Sequence, residues 1–176
     1  MNNISQSRTN KIALALLIIA GIFWLGAINV RALIGNELLD YDQFDFKTSI
    51  PPDRENTLFQ LLSNASLVIV ISYFVVFVCA ILFMKTTHLK IKENGWLLMS
   101  AILFFMFAPV EMYTYYIDIK FMLLFQTHPP NHDELLRLFG KRLGALSGVP
   151  VIALLSYYSI VVISVFKPLR RPAKVD

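Results

Sequence analysis

Cysteine is nearly absent. Cys79 is the only thiol in 176 residues, so the chain contains neither a disulfide framework nor a paired-cysteine redox centre. Its position inside an apolar run reads as a small core hydrophobe. Histidine is almost as scarce. His88, His128 and His132 all fall between the apolar runs, away from the helical positions that haem ligation within a bilayer would use. His128 and His132 are weak candidates for a metal site with Asp133, Glu134 or Glu111, because Pro129-Pro130 between them denies the helical i, i+4 presentation that makes such spacing informative. Gly140-Lys141 lacks the glycines that precede a phosphate-binding loop, there is no dinucleotide fingerprint, and no serine lies in a nucleophile-elbow pattern. No cofactor is implied, and a non-enzymatic role fits better than a catalytic one.

Charge is also sparse. Only 16% of residues are charged against 56% hydrophobic, a balance that leaves too little polar surface for a soluble domain. The apolar residues are gathered in four runs, 12–30, 67–84, 96–125 and 143–166, of 19, 18, 30 and 24 residues. Crossing roughly 30 Å of hydrocarbon takes about 20 helical residues. The pattern therefore predicts an all-α, four-helix polytopic transmembrane bundle forming one domain, with spans near 12–30, 63–84, 96–120 and 143–166. The first run exceeds the length of a secretory h-region and reads as a retained anchor.

Nine Lys and Arg residues crowd the short flanks before 12, between 84 and 96, and after 166, whereas seven are spread over the opposite side. The positive-inside rule weighs short flanks most, so both termini are expected in the cytoplasm, in a plasma or inner membrane. The net charge of +4 then describes a basic cytoplasmic face and gives no reason to invoke nucleic acid. The tail from Lys167 to Lys174, with Arg170 and Arg171, reads as a topology-setting flank or as a seat for anionic lipid.

The first outer connection is expected to extend the first helix to about Leu39. An irregular or extended stretch follows, with Tyr41, Phe44 and Phe46 resting on headgroups or closing as a lid. Pro51-Pro52 should then stop any helix, and Asp53 should cap the next. In the second connection, Asn131 followed by Glu134 resembles a capping arrangement for a short helix running into the fourth span. Gly140, Gly144 and Gly148 at spacing four would make a smooth helix-packing stripe, and Pro150 beyond them should kink the helix. The stripe serves internal packing or contact with a second copy.

Carboxylates are kept out of the apolar runs, except in the third. Glu111 lies 15 residues beyond Trp96, roughly 22 Å along a helix, and Asp118 returns to nearly the same face one repeat later, with Tyr115 between them. Ionisable groups in hydrocarbon are costly and usually functional or paired. By depth, Arg31, Asn29, Asn64 and Ser66 belong to the same layer, and Glu111 with Arg31 is the favoured ion pair. The expected site is thus a polar cluster of Glu111, Asp118, Arg31, Asn29, Asn64 and Tyr115, which is structural, lies on a proton or cation path, or forms a catalytic or ligand site. The expected partners are the lipid bilayer and a second copy or a larger membrane complex.

Overall fold

The computed structural model describes residues 8–40, 45–47, 49–87, 89, 91, 93–127 and 131–170. Tyr41, Phe44, His88, His128 and the tail beyond Arg170, with Arg171 and Lys174, lie outside the described residues. The elements in chain order are α1 (Arg8–Asn36), β1 (Leu39–Asp40), β2 (Asp45–Phe46), α2 (Pro52–Thr86), α3 (Gly95–Phe125), α4 (His132–Leu143), a 3-10 turn (Ala145–Gly148) and α5 (Val149–Phe166). Among the described residues four helical stretches, with α4 and α5 forming the last, are long and apolar enough to cross a membrane, so the all-α class and the four candidate spans agree with the sequence pattern.

Helix ends follow local chemistry. In α2, Pro51 stands at the N-cap and Pro52 opens the helix, with Asp53 and Glu55 in the first turn and Lys85 in the last, each charge matched to the helix dipole. Asp53 is thus not the cap that was expected. Pro52 lacks an N–H and has a preset φ, so it suits the first helical position, and the helix starts ahead of Asp53. At α4 the expected cap is present, the Glu134 backbone N–H donating to Asn131 Oδ1 at 3.1 Å.

The chain forms two compact units. The first comprises Met1–Thr87 and Ile117–Phe139. In it α1 packs along α2, with Trp24 against Tyr73 at 5.0 Å between ring centroids. The core continues through Phe59, Leu62, Ile69, Phe121 and Leu135, all essentially inaccessible. Strands β1 and β2 pair antiparallel, Leu39 with Phe46 and Asp40 with Asp45. The pairing gives a definite register to a stretch that the sequence pattern marks as irregular or extended.

The second unit comprises His88–Tyr116 and Gly140–Asp176. Phe104 and Phe107 of α3 meet Tyr157 of α5 at 6.1 and 6.4 Å. At the far end, the Gly95 N–H donates to the Leu169 carbonyl at 3.3 Å, so the start of α3 lies beside the end of α5 and the two helices run antiparallel.

Three expectations about the fourth span are corrected. The helix does not continue from α4 into α5. Leu146, Ser147 and Gly148 take left-handed φ values of 51°, 53° and 88°, and Pro150 falls in the first turn of α5 instead of kinking a longer helix. In an unbroken helix the Pro150 ring would collide with the carbonyl of Leu146 and supply no N–H, so the chain breaks ahead of it. Gly140, Gly144 and Gly148 consequently do not share one helical face. An added Cβ would meet only the Gly140 carbonyl at 3.5 Å from Gly144, and nothing within 4 Å from Gly148.

Candidate functional site: a buried arginine–aspartate pair

The strongest polar feature is built in the first unit by three helices. Arg31 comes from the last two turns of α1, Ser66 from the second third of α2 and Asp118 from the C-terminal half of α3. Arg31 Nη2 donates to Asp118 Oδ1 at 2.8 Å and Arg31 Nε donates to Ser66 Oγ at 2.9 Å. The side chains of Arg31 and Asp118 are 9% and 0% exposed, which makes this a desolvated ion pair. The ring of Phe139 lies with its centroid 5.9 Å from the guanidinium carbon, adding a cation–π attraction of about 0.5–2 kcal/mol. Phe139 is itself held by Phe46 of the hairpin at 6.0 Å and by Gly35, where an added Cβ would come within 2.8 Å of the ring.

The first unit holds a second polar contact at the start of α2 and α4. His132 Nε2 and Glu55 Oε2 are 3.3 Å apart, with His132 half exposed and Glu55 nearly buried. The His132 ring lies 5.6 Å from Phe59, which meets Phe121 edge-on at 6.0 Å. The exposed pair of Arg54 with Glu37, at 3.2 Å, is of the kind worth about 0–1 kcal/mol.

The expected cluster is distributed as follows. Arg31 and Asp118 are directly paired. Counting along the helices placed Arg31 at roughly 28 Å, between Glu111 at about 22 Å and Asp118 at about 33 Å, so depth alone could not favour one carboxylate. Glu111 and Tyr115 are buried in the second unit, as is Thr114, whose hydroxyl donates to the Glu111 carbonyl at 2.9 Å. Tyr113 and Tyr116 on the same helix are exposed.

Asn29 and Asn64 do not join the buried group. Both are exposed, and Asn29 Nδ2 donates to the Leu25 carbonyl of its own helix at 2.8 Å. Each stands two residues from a cluster member, Arg31 or Ser66, and two residues turn a helix by about 200°. The same depth therefore lies on the opposite face. His132 faces Glu55, and among the described residues no three His, Cys, Asp or Glu side chains gather as a metal site.

Sequence reasoning missed Thr114, Glu55 and Phe139. Phe139 had a usable signal, since Leu135, Leu138 and Phe139 stand at i, i+3 and i+4 and form the buried stripe of α4. Chemically, Asp118 is committed to a cation that does not deprotonate in proteins.

No protein-family model, curated protein or solved structure matches this chain.

Proposed function

We propose that this chain is a non-enzymatic multi-pass membrane protein, an accessory or structural subunit that packs with further copies of itself or within a larger membrane complex, both termini facing the cytoplasm. The observation that carries the reading is the closed Arg31–Asp118 pair, whose charges neutralise each other away from solvent. Such a pair costs more in desolvation than it returns unless geometry is good and the remaining polar atoms are bonded. Here Ser66 and Phe139 provide that support, which suits a fixed joint between helices. The abundant exposed apolar side chains of α1 and α5, among them Ile22, Phe23, Val165 and Phe166, suit lipid or neighbouring helices.

A second reading, a small proton- or cation-coupled transporter using Glu111 and Asp118, draws on a different observation. Glu111, Thr114 and Asp118 are all buried at i, i+3 and i+7 of α3, a polar line along one helix face. The test combines mass measurement of the assembly purified in mild detergent with ion flux in liposomes. The subunit reading expects self-assembly or a stoichiometric partner and no flux. Flux that disappears in Glu111→Gln while assembly is unchanged would overturn it and establish the pathway instead.

A further inference from the structure

Where α3 begins and α5 ends, the second unit carries a backbone clasp. Asn94 and Arg170 form an antiparallel bridge, and the Gly95 N–H is bonded to the Leu169 carbonyl. The chain turns back over α3 through Lys167 and Leu169, both left-handed with φ of 46° and 59°. Gly95 permits the approach, because a Cβ there would stand 2.8 Å from Leu169 Cβ. Left-handed non-glycine residues are disfavoured, so this end of the chain is held in place by its contacts.

The clasp sets two cations at one edge. The Lys167 ammonium lies 5.7 Å from the Trp96 ring centroid, and the Arg170 side chain is exposed. Among the described residues neither cation has an ion-pair partner. Phe166 and Leu169, 78% and 71% exposed, flank them. Two cations, a half-buried tryptophan and outward-facing apolar side chains together match the two-part chemistry of a lipid, a charged headgroup above hydrocarbon. A soluble anion would have no use for Phe166 and Leu169.

We infer that Lys167 and Arg170, aligned by the Asn94–Arg170 bridge and bordered by Trp96, Phe166 and Leu169, form a binding surface for the headgroup of an anionic phospholipid. The inference rests on the chain lying in a bilayer and is independent of whether it acts as a subunit or a transporter. Each basic side chain at an anionic surface is worth roughly a fivefold preference, giving on the order of 25-fold for the two.

Trp24 and Trp96 are the two tryptophans, so Trp24→Phe leaves Trp96 as the reporter. The full chain is reconstituted in phosphatidylcholine vesicles containing a minor fraction of brominated phosphatidylglycerol or, in parallel, brominated phosphatidylcholine. The expected result is stronger quenching by the anionic lipid, a preference lost in Lys167→Gln/Arg170→Gln and unaffected by soluble glycerophosphate. Equal quenching by both lipids, or a preference that survives the double substitution, overturns the inference. Competition by glycerophosphate would show a free-phosphate site and overturn it equally. Native mass spectrometry of the chain with both tryptophans intact gives a second reading. Phosphatidylglycerol retained per chain should fall in Lys167→Gln/Arg170→Gln, and unchanged retention counts against the surface.

Discussion

Removing one partner of the Arg31–Asp118 pair should damage the protein far more than removing both. Asp118→Leu takes from the buried Arg31 guanidinium the carboxylate bonded to its Nη2, Ser66 Oγ and the Phe139 ring staying in place, and breaking a buried pair from one side costs about 3–5 kcal/mol. Arg31→Met removes the guanidinium from the Asp118 carboxylate, 0% exposed, at a similar cost. In the double variant, methionine fills the space under Phe139, leucine meets it, and the Ser66 hydroxyl can turn to the carbonyl one turn back in α2. Replacement of a buried pair by apolar groups is often neutral or stabilising. At about 2–4 °C per kcal/mol for a chain of this size, each single substitution should lower Tm by about 6–20 °C, while the double variant loses less than either.

Cys79 supplies the assay. It is the lone cysteine and is buried, so a thiol-reactive fluorophore in mild detergent reports unfolding with no change to the protein. The reasoning fails if either single variant melts with the wild type. It fails equally if the double variant loses as much as the two singles combined, since additivity would mean that the charges do not interact.

Two further outcomes follow from local geometry. Gly35→Ala should destabilise in the same thiol assay, because overpacking against the buried Phe139 ring costs about 1–3 kcal/mol and outweighs a helix-propensity gain of about 1 kcal/mol. Gly26→Ala, with nothing within 4 Å of the added Cβ, should be neutral or stabilising, and equal losses at both positions would count against the contact. At Ser147, where φ is 53°, the β-branched Ser147→Val should cost about 1–2 kcal/mol, while Ser147→Gly should not lower Tm.

The sequence alone determined the four apolar helical stretches, because length and hydropathy are summed along the chain and need no neighbour. It also determined the cap at Asn131, because an N-cap bond closes within three residues, and the interest of Arg31 and Asp118, because few ionisable groups enter apolar runs. Tertiary structure decided what depends on the rotation of one helix against another. Counting put Asn29 beside Arg31 and Asn64 beside Ser66, yet a 200° turn sends each to the exposed face. It also paired Arg31 with Asp118, placed Phe139 over the guanidinium, and drew Arg170 back to Asn94. Those contacts join residues far apart in sequence, so no local pattern encodes them. They exist only where packing brings separate helices to one point.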